Sequence, residues 1–206
     1  TSASIINSYT TGSVSADWIT GGIAGAISNA SIDNCFNTGK ITSQLAAENA
    51  TGGLIGHSSD SIISNSFSTA KVSASGLVGI GGLIGEADPN TTFNSYWATD
   101  TSFQISSSQQ SLEDGYFGVT LAQLQCPTSA DNTGCIAEKT LYNTWDSNTW
   151  DFGNNNQLPG LIINGNVYRD GDGDGRLDAD DAFPEDEAAY EDSDGDGHPD
   201  SWSLGC

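Results

Sequence analysis

The segment GGIAG at Gly21–Gly25 returns as GGLIG at Gly52–Gly56 and again at Gly81–Gly85, with a step of about thirty residues, and few folds accommodate that spacing. A second marker keeps the same step: Asn7-Ser8-Tyr9, Asn34-Cys35-Phe36, Asn65-Ser66-Phe67 and Asn94-Ser95-Tyr96, the first three with Ile two residues before the Asn. A third, apolar position follows a turn at Val14, Ile41 and Val72. Each repeat therefore offers three short alternating segments separated by turn residues. One such unit cannot bury its apolar face alone, whereas stacked units form a continuous core. The expected fold is all-β: a β-solenoid, or β-helix, of about three to four coils with three strands per turn.

Within a coil the two-residue period of a strand puts Ile5, Asn7 and Tyr9 on one side, and Ile32, Asn34 and Phe36 likewise. Stacking then predicts an aromatic column and an inward ladder of Asn amides bonded to one another and to turn backbone, because an inward amide without partners is costly. The glycines are expected where neighbouring backbone leaves no room for a side chain. Upstream of Arg169 the chain is rich in Gly, Ser, Thr, Asn and Ile and sparsely charged, a composition suited to short strands and tight turns.

The residues carrying these markers resemble the GLUG repeat of bacterial surface proteins, some of them secreted IgA-cleaving metallopeptidases. The resemblance covers residues 1–100 and implies a β-solenoid in an extracellular or cell-surface setting. Peptidase activity is not implied, since that chemistry uses a zinc-binding H-E-x-x-H helix and this chain has only His57 and His198, neither in such a context.

Over residues 101–167 the repeat fades into a segment expected to cap the solenoid with aromatics, Gly118–Leu124 forming a short helix or turn. A solenoid needs such a cap because an open apolar edge invites aggregation. Cys126 and Cys135 lie in the polar loop QCPTSADNTGC, with no histidine nearby to complete a zinc site, and are expected to form a disulfide. That bridge would add roughly 2–3 kcal/mol in the chain-entropy model and requires an oxidising compartment. Cys35 replaces Ser in its repeat and is expected to be a small buried side chain; Cys206 stands at the end of the sequence.

The formal charge of −22 opposes partnership with nucleic acid or an anionic membrane surface, and about half of the acids lie beyond Arg169. No apolar run approaches the roughly 18 residues of a membrane span, and no basic-then-apolar leader opens the sequence, so it reads as a soluble mature piece of something longer. The acids fall in a strict spacing in residues 168–206. Asp170, Asp172 and Asp174 take positions 1, 3 and 5 of a loop in which Gly175 is sixth, Arg176 seventh, Asp178 ninth and Asp181 twelfth. Asp192, Asp194, Asp196, Gly197, His198 and Asp200 repeat the first nine positions, with Ser203 twelfth. Calcium takes six to eight oxygens, and this spacing supplies them from carboxylates, with Arg176 and His198 giving only their backbone carbonyls. Disordered acidic tails do not place Gly at the sixth position twice. Residues 170–200 resemble the thrombospondin type 3 repeat, which implies an extracellular calcium module in which Asp180 and Asp186 assist a neighbouring ion. No amphipathic helices flank the loops as in a sensor EF-hand, so a structural device is expected and not a switch.

The expected function is a non-enzymatic, calcium-binding structural or adhesive element of a bacterial surface, with self-association into fibres and a cell-surface glycan or protein as further partners. Two alternatives stand beside it. Trp97, Trp145, Trp150 and Trp202 would form the sugar-stacking platform of a carbohydrate-binding module. A glycan-active solenoid enzyme would need paired acids on one face, and Asp17, Asp33, Asp60, Glu86 and Asp88 do not recur in register. No G-x-S-x-G elbow supports a serine nucleophile.

Overall fold

Repeats that keep step in the sequence keep step in space. The computed structural model describes residues 2–44, 50–75, 79–88, 91–104, 116–125, 141–154 and 156–202, which belong to two units, Thr1–Leu121 and Ala122–Cys206. The first unit is built from parallel strands stacked coil upon coil. Its longest stack begins with Ala3–Thr10 and Ala30–Asn37 and continues through Ile62–Ser64 with Phe67–Ser68, then Thr91–Phe93 with Ser95–Ala98, to Tyr116–Val119. Register sets Ile5 on Ile32 and Ile32 on Ile63, and Tyr9, Phe36, Phe67 and Tyr96 follow one another in the same way. The rings of Tyr9 and Phe36 stack at 5.3 Å and those of Phe36 and Phe67 at 5.2 Å, which makes the expected aromatic column. Val14, Ile41 and Val72 are likewise partners in a second stack.

Three strands per turn proves one too few. The GGxxG segment breaks at a corner, so that Thr20–Gly21, Thr51–Gly52 and Ile80–Gly81 form one stack and Ala24–Ser28, Ile55–Ser59 and Ile84–Ala87 another. The glycines let the corners nest. A Cβ on Gly52 would stand 2.5 Å from the Gly85 amide nitrogen, and one on Gly53 would stand 2.3 Å from the Gly82 carbonyl oxygen. Ile32, Leu54, Ile63, Leu83 and Ile84 fill the space inside, fully buried. Each contributes roughly 1.5–3 kcal/mol of apolar burial, and Leu54→Ala would cost about 2–5 kcal/mol.

The inward Asn ladder is not what forms. Asn7, Asn34, Asn65 and Asn94 all adopt left-handed backbone, with φ between 46° and 53°, which Asn tolerates better than other side chains. That conformation interrupts the strand alternation, leaves Asn7 exposed and turns the next residue inward instead. Ser66 and Ser95 are therefore buried, and their hydroxyls accept from the amides of Cys35 at 3.0 Å and Ser66 at 3.3 Å in the preceding coil. Cys35 occupies the same position, buried and free, as expected. The buried amide of the coil is Asn37, whose Nδ2 donates to the carbonyls of Gly39 and Gly53 while its Oδ1 accepts from Gly39 N and Thr10 Oγ1. All four polar valences are satisfied, so the amide staples neighbouring coils at little desolvation cost.

Residues after the third GGxxG segment pack back on the coil before them. The Trp97 indole lies where a Cβ on Gly82 would stand and donates from Nε1 to the Gln104 carbonyl, while Thr101 Oγ1 donates to the Thr69 carbonyl. Gly118 and Val119 extend the longest stack, and only Leu121–Leu124 of the expected helical stretch is helical.

The second unit is organised differently. Trp150–Asp151, Gly160–Ile163 and Asn166–Tyr168 form a small antiparallel sheet whose hairpin turns at Asn164-Gly165, both with positive φ, the dipeptide preference of a two-residue turn. Trp145 packs on Trp150 of this sheet with ring centroids 4.6 Å apart and on Tyr142 at 4.7 Å, and the Tyr142 hydroxyl donates to the Leu124 carbonyl at 2.7 Å. The expected Cys126–Cys135 bridge, Ser203 and Cys206 lie outside the described residues.

Candidate metal centre

Aspartates two apart with glycines between them make a backbone that folds around its own carboxylates. In the first loop Asp170 Oδ1 accepts from Gly173 N at 2.8 Å and its Oδ2 from Gly175 N at 2.9 Å. Asp172 Oδ1 accepts from Asp174 N, and Asp174 Oδ1 from Arg176 N. Asp178 closes the ring backwards: its Oδ1 accepts from Gly171 N at 2.6 Å, and its own amide donates to the Arg169 carbonyl at 2.8 Å. Gly175, at the sixth position, has φ 98°, which an L side chain rarely adopts.

The second loop copies this network residue for residue. Asp192 accepts from Gly195 N and Gly197 N, Asp194 from Asp196 N, Asp196 from His198 N, and Asp200 from Ser193 N at 2.5 Å. The Asp200 amide donates to the Glu191 carbonyl, and Gly197 has φ 81°. Strands Ala189–Glu191 and Ser201–Trp202 pair antiparallel on either side of this loop and hold its ends together.

In each loop the first three carboxylates converge. One oxygen from each of Asp170, Asp172 and Asp174 lies within 4.8 Å of the others, and the same holds for Asp192, Asp194 and Asp196. The surroundings differ. Asp170 and Asp172 are only 1% and 4% exposed, whereas Asp194 and Asp196 are open to solvent. Burial, with the neighbouring charges of Asp174, Asp170 and Asp181, pushes the Asp172 carboxyl up to about 8. Burial and the charge of Asp181 push Asp174 up to about 6. Asp178 is raised as well, chiefly by burial, while hydrogen bonds from Ser193 lower Asp200. Two buried carboxylate oxygens, Asp172 Oδ2 and Asp174 Oδ2, have no hydrogen-bond partner. A buried unsatisfied carboxylate is among the most expensive groups a fold can hold, and an all-oxygen donor set of this kind fits a hard divalent cation.

Asp181 is near enough to raise both Asp172 and Asp174, and its Oδ1 accepts from Phe183 N. Arg176 and His198 enter the network through their amides, and the Arg176 guanidinium lies 4.2 Å from the Tyr190 ring centre. Asp186 instead caps its own turn by accepting from Ala188 N. Arg169 is the residue that loop spacing gives no reason to notice. Its guanidinium donates to the Leu158 carbonyl at 2.9 Å, to the Asp151 carbonyl at 3.0 Å and to the Asp151 carboxylate, tying the root of the first loop to the sheet.

Of the four tryptophans that could stack on a sugar, Trp97, Trp145 and Trp150 are buried and only Trp202 is exposed. The solenoid acids bring one constellation together that the sequence reading treats as scattered: Glu86 is the register partner of His57, and His57 Nε2 stands 3.9 Å from Asp88 Oδ2 at the surface.

Residues 17–42 and 47–73 each match the GLUG motif. No curated protein matches the sequence. Among solved structures, the 1.30 Å crystal structure of a candidate immunoglobulin A1 protease from Bacteroides ovatus is similar, with a TM-score of 0.55 and 21% identity over 77% of this chain. The chain spans 57% of that protein's length. At that identity the likeness concerns the fold, which is all-β with parallel stacks.

Proposed function

We propose that the chain is a non-enzymatic structural or adhesive element of an extracellular bacterial surface protein, in which stacked coils supply a stiff body and calcium orders the acidic loops. The observation that carries the metal is Asp172: a carboxylate 4% exposed, with one oxygen lacking any donor, beside Asp170 and Asp174 and within electrostatic reach of Asp181. Asp170, Asp172, Asp174 and Asp181 would hold the first ion, and Asp192, Asp194 and Asp196 the second. The ion would supply the positive charge and the chain the carboxylate oxygens, gathered by the amide bonds within each loop. The GLUG motifs and their known setting support the extracellular placement. No helix among the described residues is long and apolar enough to cross a membrane.

Isothermal titration of calcium into chelator-stripped protein tests this directly, with magnesium as the control ion. Two sites are expected, with magnesium weaker because it demands a tighter octahedral shell. Heat no larger than dilution at millimolar calcium would remove the metal from the proposal. Self-association into fibres is the secondary element; light scattering at several protein concentrations, with and without calcium, tests it.

A glycan-active solenoid has the His57, Glu86 and Asp88 grouping in its favour. Glycan turnover abolished by Asp88→Asn would replace the scaffold function with that one.

A further inference from the structure

The first loop is not a tassel on the second unit but part of its wall. The Gly171 carbonyl, between the first two aspartates, accepts from Leu158 N at 2.8 Å and from Gln125 Nε2 at 3.1 Å. Arg169 donates to Leu158 and Asp151 in the sheet region, while its own carbonyl receives the Asp178 amide. Leu158 is fully buried, Asp151 follows the buried Trp150, and Trp150 packs on Trp145. The second loop shows no bond of this kind among the described residues: its ends are joined to each other through Glu191, Asp200 and Ser201.

We infer that Arg169 is the positioning residue of the first loop, and that through Arg169 and Gly171 ion binding at Asp170, Asp172 and Asp174 and order in the Tyr142–Trp145–Trp150 core are one equilibrium, while the second loop responds alone. The inference rests on calcium being the ligand of these loops, as proposed above, and adds what that ion controls. Without the cation the buried carboxylates repel one another, and the strain falls on the bonds that hold the loop against Leu158 and Asp151. With it, the loop closes and Arg169 meets partners already in place. Order in an aromatic core 20 or more residues upstream of the first aspartate then depends on an ion that touches none of it.

Hydrogen exchange read by mass spectrometry tests this on the whole chain, with calcium and then with excess chelator. Chelation is expected to strip protection from residues 141–154 and 160–168 together with 169–178, at one common calcium midpoint. Asp194→Asn is expected to raise the calcium midpoint of 189–202 alone, by no more than about fivefold. Arg169→Gln is expected to raise the midpoint of the 141–168 transition about tenfold, the effect of losing an outer-shell partner of a metal site, with the second loop's midpoint unmoved. A purely structural Arg169 would lower protection equally at every calcium concentration, and that outcome overturns its positioning role. If 169–178 opens in chelator while 141–168 stays protected, the coupling is wrong and calcium binding stands. If the unmodified chain exchanges identically in both buffers, and terbium luminescence shows no bound ion, the calcium function fails as well.

Discussion

The two aspartate loops have the same hydrogen-bond scaffold and opposite surroundings. From Asp170 to Asp178 and from Asp192 to Asp200 each carboxylate receives the same amide, and both sixth-position glycines take left-handed backbone. Yet burial raises Asp172 and Asp174 in the first, while Asp200 in the second is lowered by the hydrogen bonds it accepts. Local spacing fixes the geometry of such a loop; what lies behind it fixes the energy at stake. A desolvated cluster gains most from a cation, whereas a solvated one has water as a competitor for every carboxylate.

The largest expected effect follows from that contrast. Asp172→Asn should weaken calcium binding at the first loop by about two orders of magnitude, the scale of removing one partner from a buried charge pair, roughly 3 kcal/mol. In chelator at neutral pH the same variant should be more ordered than the unmodified chain, because an amide is buried without the proton uptake that the raised Asp172 carboxyl requires. Asp194→Asn should weaken the second loop by no more than about fivefold, as exposed charges are worth ~1 kcal/mol or less. Calorimetry on the two variants decides; equal losses would break the comparison.

A pH scan of the metal-free protein sharpens it. The Asp172 carboxyl rises from 3.8 to about 8 in the closed loop. A group raised on folding adds stability below its unfolded value and loses it as pH climbs through the folded one. By this group the closed first loop should therefore be best ordered below about pH 4 without calcium and lose order from there up to about pH 8, while saturating calcium should flatten the dependence. Amide exchange at residues 169–178 across that range measures it, and a metal-free first loop that gains order as pH rises would contradict the sign.

Most of the first unit was legible because its period is stated several times over. Ile32, Tyr9, Val14 and Gly52 stand in the register that the repeats predicted. The failures lie where alternation is broken locally. Left-handed backbone at Asn34 and Asn65 turns those side chains out of the inward set, and nothing in a two-residue period anticipates it; only the recurrence of Asn, a residue that tolerates this conformation, carried a signal. In the second unit the regular aspartate spacing was readable, but the burial of Asp170 and Asp172 was not. Burial there depends on Leu158, Gln125 and Arg169, whose contacts close over 11 to 46 residues and leave no periodic trace.

The smallest expected effect concerns the second position of each loop, where the copies differ: Gly171 in the first, Ser193 in the second. A Cβ at Gly171 would meet Asp178 Oδ1 at 3.1 Å and the Pro184 carbonyl oxygen at 3.3 Å, tight but not forbidden, and its φ is not in the glycine region. Asp200 accepts from Ser193 N in the same way, so the scaffold itself permits a side chain. Gly171→Ser should therefore lower first-loop calcium affinity only about threefold, below the ~1.4 kcal/mol that makes a factor of ten. Ser193→Gly, in an exposed loop, should change the second loop less still. If Gly171→Ser instead abolishes the first site, packing behind the loop governs its geometry as well as its energy, and the equivalence of the two scaffolds is only apparent.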